Sequence, residues 1–424
     1  MKVFKFGGAS VKNAVAVKNV VEILKRYPNQ QIMVVVSAMG KTTNALEELT
    51  RLYHERNKGW KEVLENIRRF HSEIIDELFQ DTSPVNQELD TWFDTLEQLL
   101  EKRPSKNYDY EYGRIVTFGE LFSTCIVNHY LNENHISSRW FDARKVIKTN
   151  ASYREGKVDW KLTESLVKTE IFPYFQNETN GKIGLTQGFI SSTVHNRTTT
   201  LGREGSDYTA ALFAYFLDAE EVIIWKDVPG LLNADPKYFP EARKLDSISY
   251  RDAIELAYYG ASIIHPKTIK PLQNKKIPLR IKSFIAPGDE GSVICGNIQS
   301  ETRIPCYLFK TNQLLISISP KDFSFIAEEN LHAIFGIFAR CRIKINLMQN
   351  SAISFSVCID NDPKITQSAI KSLEHNFNVR YNQNLELITI RNYNQETIDK
   401  VVHGRKIMLE QKSRLTAQII VSVE

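Results

Sequence analysis

The N-terminal part of the chain alternates between short apolar runs and longer amphipathic segments. Residues 3–6 (VFKF) and 31–38 (QIMVVVSA) are apolar runs rich in β-branched and aromatic side chains, which is typical of buried parallel strands. Between them, Val17, Val20 and Leu24 recur at the spacing of one helical face. This order of strand, helix and strand predicts the start of an α/β sheet.

A long helical segment interrupts this alternation. From Asn44 to about Arg103 the apolar spacing is helical throughout, so we predict a helical insertion beside the sheet. The alternation of strands and helices then resumes, which extends the mainly parallel α/β domain. Strands are predicted at 139–141, 183–190, 221–225 and 277–283, and helices at 113–132, 207–217, 250–258 and 266–274.

The pattern changes after the segment 286–306, whose many turn-forming residues predict a linker. The following elements have the β-α-β-β-α-β order of a ferredoxin-like α+β unit. A further strand (LELITIR, 385–391), a short helix and two strands begin the same pattern again. We therefore predict a repeat with a shortened second copy. The elements of the first copy are predicted at 314–319, 329–340, 343–349, 353–359, 365–375 and 377–381.

Composition and charge narrow the class of protein. The 424 residues include 42% hydrophobic and 25% charged residues, a mix that supports two or three globular domains. The formal charge of +4 is too small to indicate a nucleic-acid partner. The longest apolar run is far shorter than the ~20 residues that span a bilayer, and the N-terminus lacks a signal-peptide core. The five cysteines contain no C-x-x-C pair, so we expect no zinc site, no disulfides and a cytoplasmic location.

Two loops carry polar residues where predicted strands end. Lys5 lies in the first strand, and the backbone amides of Gly7 and Gly8 could approach an anion closely. The segment 198–211 (TTTLGREGSDYTAA) places hydroxyls, glycines, an arginine and an aspartate directly before an apolar helix. Either Ser206 or the aspartate after it is suited to cap that helix. Because a cap alone does not require the other polar residues, the pattern indicates a loop that binds a small charged substrate.

Eight segments, in the same order along the chain, resemble the successive motifs of aspartate kinases. They are KFGGAS, SAMGKTTN, TFGELFST, WFDARKV, TQGFI, TTTLGREGSDYTAA, WKDVPGLLNADPK and YGASIIHPKTI. The match extends over about 1–283, and the repeat after it resembles the regulatory ACT domains of that family. The resemblance implies an amino-acid-kinase α/β/α sandwich followed by ferredoxin-like ACT domains. The implied boundaries are 1–285 for the catalytic domain with its helical insertion at 44–104, 286–306 for the linker, 307–382 for the first ACT domain and 383–424 for a partial second one.

The resemblance implies an activity and roles for individual residues. The activity is transfer of phosphate from ATP to the side-chain carboxylate of L-aspartate, the first step of a pathway to lysine, threonine and methionine, with Mg²⁺ carried in by ATP. Lys5 would contact the transferring phosphate, and Asp207 would orient ammonium groups without accepting a proton. Arg203 and Glu120 would bind the α-carboxylate and the α-ammonium group of the substrate. The other implied positions are Ser37, Thr43, Phe189 and Thr200 for the substrate, and Lys5, Phe6, Gly7, Gly8, Ser10, Lys226, Asp227, Lys237 and Ser262 for the nucleotide.

Three positions depart from the family pattern. Ala9 stands where a threonine is usual, and Glu204 stands where a glycine is usual. Ser262 replaces a second lysine at the nucleotide phosphates. Loss of one cation from such a site would lower the rate by roughly 10²–10³. Our hypothesis is that Lys226, which stands where a threonine is usual, supplies a replacement charge.

The resemblance leaves the regulation and two alternative functions open. It implies a homodimer through the ACT region, and lysine or threonine is the candidate effector. Residues 349–354 (QNSAIS) stand where such effectors usually bind but lack an acidic residue that is common there. One alternative is a catalytically weakened sensor of amino acid and nucleotide, which Ser262 and Glu204 favour. The other is a related kinase that acts on the carboxylate of glutamate or another acid. No membrane partner is expected.

Overall fold

The computed structural model describes residues 1–176, 181–261, 264–296, 304–322 and 324–423. Its strands, numbered along the chain, are β1 (Lys2–Phe6), β2 (Ile32–Val36), β3 (Ser138–Phe141), β4 (Lys148–Thr149), β5 (Ile183–Gln187), β6 (Ile190–Thr193), β7 (Thr198–Thr200), β8 (Glu221–Lys226), β9 (Leu231–Leu232), β10 (Lys244–Leu245), β11 (Ser247–Ser249), β12 (Leu279–Ser283), β13 (Ser292–Cys295), β14 (Cys306–Pro320), β15 (Ile345–Asn350), β16 (Phe355–Asp360), β17 (Phe377–Arg391), β18 (Ile407–Lys412) and β19 (Thr416–Ser422).

A 3₁₀ turn at Gly8–Val11 follows β1. The α-helices are α1 (Ala14–Lys25), α2 (Thr42–His54), α3 (Trp60–Leu78), α4 (Ser83–Leu100), α5 (Tyr108–Val116), α6 (Phe118–Glu133), α7 (Ala143–Val146), α8 (Trp160–Glu170), α9 (Phe172–Gln176), α10 (Gly205–Phe216), α11 (Tyr250–Tyr259), α12 (Pro266–Lys275), α13 (Glu328–Arg340), α14 (Pro363–Glu374) and α15 (Gln395–Val402). None of these helices is long and apolar enough to cross a bilayer in the described part of the chain.

The chain forms two compact units. The first comprises Met1–Leu231, Asp246–Ile254 and Ile263–Ile298, and the second comprises Leu232–Leu245, Glu255–Ser262 and Gln299–Glu424. The segment that the sequence predicts as a linker contains β13, which pairs with β11 and β12 of the first unit. The second unit also includes two short segments from the middle of the chain, Leu232–Leu245 and Glu255–Ser262. The predicted domain boundaries stay a prediction.

The core of the first unit is an eight-stranded sheet with the order β11-β13-β12-β8-β1-β2-β5-β3. The neighbouring strands are parallel, apart from the antiparallel pair β12 and β13. Every side chain of β2 is buried, so both faces of the sheet are covered at its centre. Phe4 and Phe6 pack against Trp225 of β8, with ring centroids 5.7 and 6.1 Å away. The prediction of a mainly parallel α/β domain is confirmed.

Two predicted elements of the first unit differ in detail. The predicted helix 113–132 is divided at Thr117, which ends α5 and precedes α6, and its hydroxyl donates to the carbonyl of Arg114 (3.4 Å). The predicted strand 183–190 ends after β5, because Phe189 has a positive φ of 65° and turns the chain. Three consecutive helices, α2, α3 and α4, lie where the sequence predicts a helical insertion.

The second unit contains a six-stranded sheet in the order β15-β16-β14-β17-β19-β18, and the pairings described are antiparallel. The strands β14 and β17 have 15 residues each and pass through both copies of the repeat. The separate strands predicted at 377–381 and 385–391 are therefore one strand. The prediction of a C-terminal α+β region is confirmed.

The second copy of the repeat also pairs with residues that lie earlier in the chain. Residues 306–310, at the start of β14, pair with the end of β17 and occupy the place of its missing last strand. A register shift between Lys310 and Gln313 separates this part of β14 from the part that belongs to the first copy. Ala234, together with the partly buried Phe239, packs on the same core as Ile388 of β17. Segments from earlier in the chain thus complete the second copy.

Candidate active site

A cleft of about 520 Å³ opens in the first unit, where β1, β2 and β8 end. Because parallel strands present their carboxyl ends at one edge of a sheet, side chains distant in sequence meet there. The cleft is lined by Lys5, Ser37, Thr43, Glu47, Tyr112, Glu120, Arg154, Glu155, Phe189, Gly202, Arg203, Glu204, Gly205, Ser206, Asp207 and Lys226.

One carboxylate in this cleft faces two ammonium groups. The Nζ atom of Lys5 lies 2.6 Å from Oδ1 of Asp207, and both side chains are almost fully buried. The Nζ atom of Lys226 lies 3.9 Å from Oδ2 of the same aspartate. Burial lowers the pKa of Lys226, the Asp207 carboxylate opposes this change, and the charge of Lys5 adds to it. Lys5, Lys226 and Asp207 have a combined formal charge of +1, and the carboxylates of Glu204 and Asp227 also act on Lys226. The two ammonium groups are suited to contact an anionic ligand.

The glycines after β1 allow two loops to approach each other. A Cβ atom on Gly8 would lie 2.8 Å from the carbonyl oxygen of Ala38, so a larger residue does not fit there. The backbone N–H of Gly40 donates to the carbonyl of Gly8 (3.1 Å), which joins the loops that follow β1 and β2. A Cβ atom on Gly7 would lie 3.2 Å from the Nζ atom of Lys5. The Gly-Gly pair thus leaves room for the lysine at the edge of the cleft.

The side chains of Phe6 and Ser10 are directed into the fold. The Phe6 ring stacks on Trp225, and the hydroxyl of Ser10 donates to the Trp225 carbonyl (3.4 Å). Any contact of these two residues with a nucleotide would therefore come from their backbone. Their implied role in nucleotide binding stays a prediction.

Glu120 is a buried carboxylate with an unused oxygen. It lies in the first turn of α6, is 2% exposed and accepts a hydrogen bond at Oε1 from the Ala38 N–H (3.3 Å). Its Oε2 atom has no hydrogen-bond partner among the described residues. Burial raises the pKa of Glu120 to about 8. A cationic group that entered the cleft would supply the missing partner and favour the charged carboxylate.

The N-cap of α10 differs from the prediction. The helix begins at Gly205, so Ser206 and Asp207 lie in its first turn and neither is the N-cap. The N-cap residue is Glu204, which has a left-handed backbone (φ 54°) and makes no capping hydrogen bond with its side chain. Its Oε2 atom is buried and has no partner in the described part of the chain. Arg203 is exposed and lines the mouth of the same cleft.

Three further positions implied for the substrate, Ser37, Thr43 and Phe189, also line the cleft. Thr200 does not, because it is buried and its hydroxyl donates to the carbonyl of Arg154 (2.5 Å). The substrate roles of all four residues stay predictions.

The remaining nucleotide positions are not part of this cleft. Asp227 is exposed and lies outside its lining. Lys237 belongs to the second unit, is exposed, and has its Nζ atom 5.3 Å from the centre of the Tyr238 ring. Ser262 lies outside the described residues.

Four charged or polar residues of the cleft have no assigned role in the sequence prediction. The hydroxyl of Tyr112 donates to Oε1 of Glu47 (2.7 Å), and the guanidinium of Arg154 lies 4.4 Å from the Tyr112 ring. The fourth is Glu155. Since they come from α2, α5 and the loop after β4, no local pattern in the sequence connects them.

Comparison with known proteins identifies the family. Residues 1–283 match the amino acid kinase family. The chain is 31% identical over 399 residues to lysine-sensitive aspartokinase 3 of Escherichia coli (strain K12), which covers 92% of this chain and 86% of the relative. It superposes with a TM-score of 0.84 on E. coli aspartokinase III in complex with lysine and aspartate, and of 0.82 on the same enzyme in complex with aspartate and ADP. Both alignments have 29% identity and cover 100% of this chain and 96% of the other. The chain belongs to the aspartokinases of the amino acid kinase family.

Proposed function

We propose that this protein transfers the γ-phosphoryl group of ATP to the side-chain carboxylate of L-aspartate, which yields ADP and 4-phospho-L-aspartate. The observation that carries this proposal is the cluster of Lys5, Asp207 and Lys226 in a cleft that also contains Glu120 and Arg203. Aspartate and ADP occupy the similar E. coli enzyme, which supports the same substrates here.

Charge neutralisation is the main task in this reaction. The attacking carboxylate has a pKa near ~4 and is ionised at neutral pH, so no general base is needed. A bond forms between its oxygen and the γ-phosphorus while the bond from that phosphorus to the β-phosphate oxygen breaks, and ADP keeps the electron pair. The two reactants are both anions and repel each other. We assign to Lys5 and Lys226 the compensation of this repulsion, and to Asp207 the orientation of both ammonium groups.

The two ends of the substrate backbone require groups of opposite charge. The unused oxygen of Glu120 is suited to accept a hydrogen bond from the α-ammonium group. The guanidinium of Arg203 is suited to a two-point contact with the α-carboxylate. Together they select a free amino acid over a simple dicarboxylic acid. Ser37, Thr43 and Phe189 complete the proposed substrate pocket.

Mg²⁺ enters the reaction with ATP, as part of that substrate. The unpartnered Oε2 atom of Glu204 offers the carboxylate oxygen that Mg²⁺ prefers, so the cleft fits a phosphate-bound ion. The bound ion would neutralise part of the phosphate charge. We propose the backbone of Phe6, Gly7, Gly8 and Ser10, together with Asp227, as further nucleotide contacts.

We also propose that an amino acid regulates the enzyme. The relative in E. coli is lysine-sensitive. Residues 349–354 of this chain join β15 to β16 in an exposed turn, where the N–H of Ser351 donates to the Ser354 carbonyl (2.8 Å). We propose a homodimer through this region, with lysine or threonine as the effector that binds there. Calorimetry in which neither amino acid binds would leave a dimerisation module without a regulatory ligand.

An ADP-release assay with Mg-ATP and a panel of acids tests the function. L-Aspartate, L-glutamate and succinate are compared on the wild type, on Lys5→Ala and on the control Lys25→Ala, whose lysine forms an exposed pair with Glu22. We expect ADP release with L-aspartate alone, its loss in Lys5→Ala and no change in the control. Release with glutamate instead would indicate a different carboxylate kinase. Binding of both ligands without turnover would indicate a sensor.

A further inference from the structure

Outside the cleft, α4 and α6 bring three potential metal ligands together. Cys125 and His129 are four residues apart on α6 and therefore lie on the same side of the helix. Glu88 reaches them from α4, and its Oε2 atom lies 2.8 Å from Nε2 of His129. The sulfur, the imidazole nitrogen and the carboxylate oxygen all lie within 4.8 Å of one another. The three donor atoms are therefore candidates to bind one common ion.

The chemistry of this donor set favours zinc over magnesium. A thiolate, an imidazole and a carboxylate are the three ligand types that bind Zn²⁺ in proteins, and three such ligands leave one position for water. Mg²⁺ prefers oxygen ligands only, so the cluster would not compete for the ion that accompanies ATP. The donor atoms themselves therefore distinguish this cluster from the phosphate-binding cleft.

The three side chains differ in exposure, so that an ion could reach the cluster from solvent. Cys125 is 1% exposed, whereas the side chains of His129 and Glu88 are 26% and 45% exposed. The sulfur thus lies at the protected end of the cluster and the carboxylate at the open end. One thiolate and one carboxylate would balance the two positive charges of the ion, so the occupied cluster would be neutral.

A hydrogen-bond network occupies these donors when no metal is bound. Glu88 interacts with His129, Trp92 and Cys125. Binding of a metal would replace this network, release the proton of the Cys125 thiol and require that the imidazole carry its proton on Nδ1. The simpler interpretation of the cluster is a hydrogen-bonded contact between α4 and α6 that binds no ion.

We propose that Glu88, Cys125 and His129 bind one Zn²⁺ ion, which links α4 to α6. Cys125 follows Glu120 by five residues on α6, about 7.5 Å along the helix axis. The ion would therefore hold the same helix that carries a buried carboxylate of the cleft. The proposal does not depend on the proposed function, because it concerns binding of a metal and not turnover.

Metal titration of the full-length protein tests this proposal. Zn²⁺ is added in competition with a chromophoric chelator, and Cd²⁺ is added while the ultraviolet charge-transfer absorbance of a cadmium thiolate is recorded. We expect one ion per chain, a cadmium band in the wild type and in the control Cys295→Ser, and no band in Cys125→Ser. Because Trp92 interacts with Glu88, the total tryptophan fluorescence of the protein should also change with the same stoichiometry.

Two variants with exposed or half-exposed side chains keep the test valid if Cys125→Ser does not fold. Glu88→Gln and His129→Gln should each weaken Zn²⁺ binding at least ~10-fold. Absence of stoichiometric binding by the wild type would overturn the proposal in favour of the hydrogen-bonded contact. Equal affinity in the wild type, Glu88→Gln and His129→Gln would overturn it as well.

Discussion

The Lys5 ammonium at the end of β1 is held 2.6 Å from the Asp207 carboxylate in the first turn of α10. Both side chains are almost fully buried, so the position of one fixes the position of the other. Because Lys226 approaches the second oxygen of this carboxylate, the aspartate orients two cations without cancelling both charges. This arrangement is suited to a reaction in which positioned positive charge lowers the barrier.

Lys5→Ala should lower kcat for aspartate phosphorylation by at least roughly 10²–10³, because one of the charges facing the transferring phosphoryl group is lost. Steady-state kinetics with Lys25→Ala as the control checks this. The KM for aspartate should change little, since we assign the binding of the amino acid to Glu120 and Arg203. A large rise in that KM with an unchanged kcat would contradict the assignment.

Lys226→Ala should lower kcat by a similar factor of roughly 10²–10³ if this lysine supplies the charge that Ser262 lacks. Lys282→Ala is a matched control, because Lys282 lies on the adjacent strand β12, its pKa is also lowered by burial, and it does not line the cleft. An unchanged turnover rate in Lys226→Ala would show that the replacement hypothesis is wrong.

The affinity for aspartate should depend on pH through Glu120. Its pKa of about 8 means that the carboxyl group of the free enzyme is largely protonated at neutral pH, and the α-ammonium group requires the charged form. We therefore expect kcat/KM for aspartate to fall about tenfold per pH unit below pH 8. Glu120→Gln should lower kcat/KM and remove this slope. A profile that is flat between pH 6 and 8 in the wild type would contradict the role of Glu120.

The stability of the first unit should fall in acid because of His71. This histidine is fully buried among Phe70, Phe93 and Phe122, and burial lowers its pKa to about 4. Below pH 6.5 the unfolded chain binds a proton that the folded chain cannot bind. The contribution of neutral His71 to the free energy of unfolding is therefore fully present above pH 6.5. It decreases as the pH falls towards 4, by up to roughly 3 kcal/mol in total.

Urea unfolding at several pH values checks this prediction. His71→Phe should remove most of the loss between pH 6.5 and 4, whereas the exposed His195→Gln should leave it unchanged. An equal acid-induced loss in the wild type and in His71→Phe would assign the effect to other groups.

Glu204→Gly should raise the free energy of unfolding by about 1 kcal/mol, because the left-handed backbone at this position strains a residue with a Cβ atom. The same substitution removes the buried oxygen proposed to face the phosphate-bound Mg²⁺, so the KM for Mg-ATP should rise. Urea unfolding and steady-state kinetics measure the two effects separately. A variant of lower stability would refute the strain argument.

The sequence predicts the centre of the fold well because its signals there are local. Residues 3–6 and 31–38 are continuous apolar runs, and both form strands at the middle of the main sheet. The cleft could be predicted in part, since Lys5 and Asp207 each lie within a recognisable motif. Arg154 and Tyr112 could not, because their proximity depends on the packing of separate elements.

The lengths of the long strands in the second unit could not be predicted from the sequence. Residues 377–391 form one strand although its middle is polar and exposed, because pairing with β14 and β19 decides its length. The cluster of Glu88, Cys125 and His129 could not be predicted from the sequence either, because its three residues come from two helices. Ligands that come from two separate helices do not form a recognisable motif along the sequence.

The polypeptide crosses between its two units five times, at the five boundaries that separate their segments. A gene fragment that began at residue 299 would encode the C-terminal sheet without Ala234 and Phe239, which cover Ile388 and its neighbours. Such a fragment would expose an apolar surface to water, and we expect it to aggregate. Any fragment meant to fold as the C-terminal sheet should therefore also include residues 232–245.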